Sequence, residues 1–403
     1  MNRVFISGFG ILSSLGGDPA EIYSNLATGR RFFSPITRFN TAAYSMSHGA
    51  EVANAVNYVQ YIPVSLLRKM DKPQKFLVYA CMKAIESAGL APDLQKQAPI
   101  YVGTAFGGTE FTERFFLDIL KKGASRANPM YFPATVPNAA AGQLAIILHN
   151  QQSNQTFCHK EVSCALALKA GFRDIAAKGK QVALVGGVDE LGEFLMLAID
   201  KMGALCRTDD PAAYAPLHHV RQGYMMGEGA AFLVLESQAS LEKRGAKPIA
   251  ELKAVTCRST PCSMYHYPVD SAFYRHTMER SLQQAGIGYK DIDTVLLAAN
   301  SSMLDAREAR AVERLNSVHG HRPACFAPKG YIGEFYASGI SRLCLGLLSL
   351  QHNTLFPHPW LPASGGVNLD IYRQSVQTRA MDTLLLNSFT NGGVGCSVVV
   401  SRV

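Results

Sequence analysis

Strand-like and helix-like segments alternate along the whole chain, and this alternation is the strongest constraint on how it folds. "RVFISGFG" reads as a buried strand. "DPAEIYSNLATG" reads as a helix with Asp18 as cap, Pro19 at its first position and Gly29 beyond its end. "KFLVYACMKAIESAGL" is amphipathic at helical spacing and stops at Gly89. "APIYVGTAFGG" is a strand entering a glycine turn, "ALALKAGFRDIAAKG" a helix, and "QVALVGGVDE" and "GAAFLVLES" are apolar enough to be central strands. Beyond "SLEKRGAKP" the pattern resumes, with strands "IAELKAVTCRS" and "DTVLLAANS" and helices "REARAVERL" and "GISRLCLGLLSLQ". "TLLLNSF" and "GCSVVVSRV" close the chain. Strands this apolar, separated by helices, predict a layered α/β fold with largely buried sheets. A seam near residues 240–250 predicts two unequal halves, 1–245 and 246–403.

Composition excludes several classes of function. No apolar run approaches the roughly eighteen residues of a membrane span, and "MNRVFISGFG" reads as a strand, not as a signal peptide. The expectation is a cytoplasmic protein with no membrane partner. Nine cysteines without a repeated CxxC pair predict free thiols, not a disulfide framework. "CHKEVSC" lacks a second ligand pair at zinc-site spacing, so no metal is expected. The net charge of +8 is spread without basic runs or interleaved aromatics, which argues against nucleic acid. It fits either an ordinary solvated surface or a surface for a small acidic or phosphate-bearing partner.

Some motifs mislead. "GFGILSSLGG" follows the first strand as a dinucleotide-binding turn would, but Ser13 stands where the third glycine belongs. His218 and His219 are adjacent, a poor arrangement for shared ligation, and read as loop residues. "GEGAA" lacks the Lys-Ser/Thr of a phosphate loop, so its glycines are expected to permit close backbone packing.

"RVFISGFGILSSLG", "PITRFNTAAY", "MYFPATVPNAAAGQLA", "RQGYMMGEGAAFLVLE" and "NSFTNGGVG" occur in this order, and together they resemble the β-ketoacyl synthase family. The resemblance covers nearly the whole chain. It implies a thiolase-like layered αβαβα fold built from two related halves. It also implies a cysteine nucleophile that takes an acyl chain from a carrier protein, two histidines that assist malonyl decarboxylation and steady the enolate, and a supporting lysine. The chemistry needs a thiolate at the tip of a strand–helix turn.

Here the turn is "TFCHKEVSCALAL". The family pattern places an Asn seven residues before the cysteine and a Thr two after that Asn; Asn154 and Thr156 fit. A Phe-Arg pair begins eleven residues after it; Phe172 and Arg173 fit. Both flanks put the nucleophile position at Glu161. Cys164 lies three residues on, inside the expected helix, and Cys158 is expected on the buried strand as a core thiol. The first histidine position falls on Asn300, followed by Ser301 and Ser302. The second falls on Glu334, in "PKGYIGEFYASG", which keeps the lysine as Lys329. The gating loop carries Asn391 before Gly392-Gly393.

With Glu161, Asn300 and Glu334 at the substituted positions, no catalytic residue is expected. A carboxylate cannot park a chain as a stable thioester, and no imidazole remains to steady an enolate. The resemblance then implies a chain length factor-type subunit. Such a subunit forms a heterodimer with an active ketosynthase in type II polyketide synthesis and limits chain length. The aromatic-polyketide version carries Gln at the cysteine position where this chain has Glu161, so the resemblance leans to the aryl polyene systems. No resident cofactor is implied, because 4'-phosphopantetheine arrives on the acyl carrier protein. Phe106, Phe111, Phe115, Phe116 and Tyr131 are the candidates for the acyl tunnel or the interface. Glu161 is read as a plug, held by N–H groups at the helix start or clustered with Lys329 and Glu334. Two alternatives stay open: condensation through Cys164, and malonyl decarboxylation through Glu161.

Overall fold

The computed structural model describes residues 2–53, 55–361 and 367–403. Among them, ten strands form one continuous sheet. The first part of the chain supplies β1 (Val4–Leu12), β2 (Ile100–Gly103), β3 (Asn154–Phe157), β4 (Val182–Asp189) and β5 (Gly229–Ser237). The second supplies β6 (Ala250–Ser259), β7 (Thr294–Leu296), β8 (Ala324–Phe326), β9 (Thr383–Thr390) and β10 (Val394–Ser401). The order is β8-β7-β9-β10-β6-β1-β5-β4-β2-β3.

The two sets of five share one plan. In each, the second strand pairs parallel with the third and the fourth, while the fourth pairs antiparallel with the fifth and the fifth with the first. The sets meet along β1 and β6 over two residue pairs, Phe5–Glu251 and Ile6–Ala250. This repetition is the thiolase-like arrangement of two related halves. Helix α3 (Ser163–Ala176), after β3, occupies in the first half the place that α7 (Gly339–His352), after β8, occupies in the second. Both touch strands of both sets, so they form the middle layer. Strands β4, β5 and β9 are buried along their whole length, which is why they read as continuous apolar runs.

On the outside, α1 (Lys72–Ala88) packs against β1. Asp71 and Gln74 close a capping box at its start, and Gly89 ends it in the left-handed conformation. This contact explains the glycines of the false dinucleotide motif. A methyl group on Gly8 would lie 2.5 Å from the Ala84 carbonyl oxygen, and one on Gly10 would lie 2.2 Å from that of Ala80. Gly10→Ala must push helix and strand apart. We expect it to lower stability by about 1–3 kcal/mol, read as a shift in the denaturant midpoint with an unchanged slope.

Four more helices, α2 (Thr109–Lys122), α4 (Glu193–Lys201), α5 (Ser271–Ala285) and α6 (Met303–His319), frame the site together with the central α7. Among the described residues, strand β3 is the outer edge of the sheet and pairs only with β2. Its four residues are exposed or half-buried. Cys158 follows it and is exposed. This corrects the expected core thiol: an edge strand has no second neighbour to cover what leaves it.

Candidate functional site

Between β3 and α3 the chain makes a tight turn over Lys160–Val162. Lys160 adopts φ 49°, a left-handed conformation that a residue with a side chain rarely takes. The Ser163 hydroxyl accepts from the His159 N–H at 2.7 Å and donates to the Lys160 carbonyl at 2.7 Å, locking the turn. The next side chain, Glu161, therefore points inward and is 1% exposed. Cys164 lies in the first turn of α3, with its sulfur donating to the Ala337 carbonyl at 2.9 Å. A methyl group on Gly187 would sit 2.2 Å from that sulfur. Burial pushes the Cys164 thiol up to about 12. A thiol so enclosed and so hard to ionise is poorly placed to attack, which counts against the condensing alternative.

Glu161, Asn300, Lys329 and Glu334 come together in one buried network. Lys329 Nζ lies 2.6 Å from Glu334 Oε2, and the Asn300 amide donates to that same oxygen at 2.7 Å. The Tyr267 hydroxyl donates to Glu161 Oε1 at 3.0 Å, and the Tyr224 hydroxyl lies 3.0 Å from that of Tyr267. Local sequence explains each position. Lys329 opens a short helix that Gly333 ends at φ 70°, turning Glu334 back into the core. A methyl group on Gly227 would lie 2.2 Å from the Ile332 carbonyl, so the "GEG" glycine permits this approach. Asn300 is held by Asp305 on α6, whose carboxylate accepts from the backbone N–H of Asn300, Ser301 and Leu217. Ser302 donates to the Asn300 side-chain oxygen at 2.6 Å, fixing which end of the amide faces Glu334.

One expectation for Glu161 needs correcting. Its partner is the Tyr267 hydroxyl, not a cradle of N–H groups at the helix start. Burial and the neighbouring Glu334 charge push its carboxyl up, against the pull of Lys329. Lys329 and Glu334 form the one ion pair of the network, and Glu161 lies beside it with its proton held more tightly than in water. Burial likewise pushes Tyr224 and Tyr267 up, so both hydroxyls keep their protons. Among the described residues the network holds one buried ion pair, the Glu161 carboxyl, an amide and two tyrosine hydroxyls, with no thiol or imidazole hydrogen-bonded into it.

Asn391 lies apart from it, in the β9–β10 turn with Gly392 and Gly393, both at positive φ. Its side-chain oxygen accepts from Lys160 Nζ at 2.9 Å. It therefore braces the turn from outside. Above it is an apolar cavity of about 330 Å³, with Phe106, Phe194 on α4, Met202, Tyr336, Lys160 and Asn391 in its walls. Phe106 meets Tyr336 edge-on at 5.3 Å. The other tunnel candidates do not line this cavity. Phe111 packs on Tyr131 at 5.1 Å, and Phe115 packs on Phe116 and on Phe132. Phe116 is 57% exposed and Phe132 is 59% exposed. The candidate set thus divides into one cavity residue and an aromatic surface on and beside α2.

A second cleft, of about 600 Å³, has Arg207, Arg221 and Arg307 in its walls together with Ser302, Tyr224 and Tyr267. Arg307 donates to the Tyr267 carbonyl and holds that loop in place. Tyr267 is both a wall of this cleft and the donor to Glu161. Neither tyrosine was a sequence candidate. Both sit in irregular segments with no periodicity to read, although Tyr224 lies within the quoted "RQGYMMGEG" block. His218 and His219 do lie in a loop, with rings 4.2 Å apart. Among the described residues no group of three or more His, Cys, Asp or Glu side chains is placed to hold a metal ion. No described helix is long and apolar enough to cross a membrane.

The family model described as "Beta-ketoacyl synthase, N-terminal domain" matches residues 1–240, and "Beta-ketoacyl synthase, C-terminal domain" matches residues 249–361. The chain is 26% identical over 418 residues to "3-oxoacyl-[acyl-carrier-protein] synthase 2" of Coxiella burnetii, covering 100% of this chain and 99% of that one. A crystal structure of a β-ketoacyl synthase from Burkholderia phymatum superposes with a TM-score of 0.91 at 23% identity, covering both chains fully. "The ishigamide ketosynthase/chain length factor" superposes with a TM-score of 0.88 at 22% identity, covering 100% of this chain and 99% of that one. These structural likenesses establish the shared fold.

Proposed function

The chain belongs to the β-ketoacyl synthase family, and on that premise we propose that it is a non-condensing subunit of the chain length factor type. It pairs with an active ketosynthase in a type II polyketide system and helps bound the acyl tunnel. The observation that carries this reading is the buried network at the elbow. Glu161 stands where a nucleophile is needed, capped by Tyr267, and an Asn300–Glu334–Lys329 cluster stands where imidazoles are needed. Condensation requires a group that holds the acyl chain and donors that steady an enolate. An acyl group on Glu161 would be a mixed anhydride, open to hydrolysis, and the remaining groups are committed to one another.

The partner is a ketosynthase that retains its cysteine and both histidines, and the acyl carrier protein delivers the chain on its 4'-phosphopantetheine arm. A ketosynthase/chain length factor pair among the structural neighbours supports the kind of partner. The aryl polyene systems are the subgroup we favour, because Glu161 departs from the Gln of aromatic-polyketide factors. Phe106, Phe194 and Tyr336 give the cavity flat walls that suit a rigid conjugated chain.

Co-expression with such a ketosynthase tests the proposal. The expected result is a stable one-to-one complex, with malonyl elongation by the pair and none by this chain alone. A homodimer of this chain that elongates malonyl units unaided overturns it. Within the complex, Glu161→Gln keeps product formation within about twofold, because Gln can still accept from Tyr267. A collapse of priming in Glu161→Gln would instead favour decarboxylation by the Glu161 carboxyl.

A further inference from the structure

The second half of the sheet holds a thiol pair that the elbow network does not use. Cys257 on β6 and Cys396 on β10 are directly opposite in antiparallel register. Opposite residues of such a ladder present their side chains on one face, with Cα atoms about 4.5–5.5 Å apart. That span falls within what a disulfide bridges, about 4.4–6.8 Å. Both thiols are free; Cys396 is buried and Cys257 half-buried. They pack together with Val162, Ala165 and Leu166, the residues that follow Glu161 into α3.

Cys257 also opens onto a cleft of about 510 Å³ whose other walls are Lys169, Thr256, Arg258, Arg280 and Gln284. Lys169, Arg258 and Arg280 are exposed, and no carboxylate shares the cleft. A hydrogen bond from Cys396, with the Lys169 charge, holds the Cys257 thiol below its ordinary value against the effect of burial. The exposed Cys158 lacks such support; burial and the Asp189 charge push it up.

We propose that Cys257 and Cys396 are a modification site for anionic low-molecular-weight disulfides of the glutathione class, which convert the pair to a disulfide across β6 and β10. The Cys257 thiolate attacks one sulfur of the bound disulfide. That S–S bond breaks, and one reagent thiolate leaves and takes up a proton. Cys396 gives its proton to solvent and attacks the Cys257 sulfur, displacing the second reagent thiolate. Two cysteine thiols are oxidised and one reagent disulfide is reduced to two thiols; excess reduced thiol reverses the sequence. The bridge would tie β10 to β6 just past the Asn391 turn, next to where the Thr260 N–H already donates to the Gly393 carbonyl.

The test uses the full-length protein with glutathione disulfide or with neutral 2-hydroxyethyl disulfide, read by intact mass and peptide mapping. The wild type loses two hydrogens and yields a Cys257–Cys396 cross-linked peptide. Cys396→Ser stops at one glutathionyl adduct on Cys257, and Cys257→Ser forms no cross-link. Arg258→Gln with Arg280→Gln, both surface changes that leave Lys169 beside the thiol, slows the glutathione disulfide reaction by about tenfold and leaves the neutral reagent unaffected. Modification of Cys158 or Cys262 ahead of Cys257, a persistent mixed disulfide in the wild type, or equal slowing with both reagents overturns the proposal.

Discussion

Replacing Lys329 by Met lowers the unfolding free energy by about 3–5 kcal/mol at neutral pH. Lys329 and Glu334 are 1% and 0% exposed, and their charged atoms are 2.6 Å apart. Removing the ammonium leaves the Glu334 carboxylate with the Asn300 amide as its remaining side-chain donor, and its other oxygen has no partner already. The carboxylate must then stay charged in a medium that disfavours it or take up a proton, and either outcome weakens the fold. Lys329→Met with Glu334→Leu removes both charges, and most of the loss returns, since a buried pair exchanged for apolar side chains is close to neutral. Urea unfolding of the three proteins measures the difference. A single variant within about 1 kcal/mol of wild type would mean that this pair does not fasten the network.

Stability also falls as pH rises from about 5 to about 8, and Glu190 is the largest single cause. It follows β4 and is buried, which pushes its carboxyl up to about 8. One oxygen accepts from the Thr109 hydroxyl at 2.9 Å and the Glu110 N–H at 2.7 Å, and the other has no partner. In the unfolded chain this group releases its proton near the ordinary carboxyl value, about 4.3. Between the two values the folded protein holds a proton that the unfolded chain has lost, so unfolding becomes easier as pH rises. At about 1.4 kcal/mol per pH unit over roughly three units, the effect is on the order of 4 kcal/mol. Asp71, pushed up to about 6, and Glu308, to about 7, act in the same direction. Glu190→Gln, compared with wild type by denaturant unfolding at pH 5 and pH 8, isolates its share. The two proteins are close at pH 5 and the variant is the more stable at pH 8. Parallel pH curves would refute the assignment.

The layered fold was legible because buried strands such as "QVALVGGVDE" and "GAAFLVLES" are apolar throughout, and helices such as Lys72–Ala88 carry their own start and stop residues. The elbow was legible because its flanks, Asn154 and Phe172, bracket Glu161 from both sides. What lay beyond reading depends on contacts between distant segments. Tyr267 reaches Glu161 across 106 positions from a loop with no repeating pattern. Cys257 and Cys396 become a pair only once the register of two strands is known. Gly8 and Gly10 imitate a nucleotide turn because a glycine required by close packing and one required by a phosphate are written with the same letter. Cys158 was misplaced because no local feature marks β3 as the last strand of the sheet.

That position has a consequence for how the molecule lives. The outer side of β3 offers unpaired backbone donors and acceptors to whatever strand approaches. Its residues, Asn154–Phe157, carry no charge to repel one, and Phe116, Leu120, Phe132 and Ile146 add exposed apolar surface in the same half of the chain. A solitary copy is therefore a template for stacking with its own kind. Made without a partner whose edge fits, the chain is expected to self-associate through this strand, more so at high concentration.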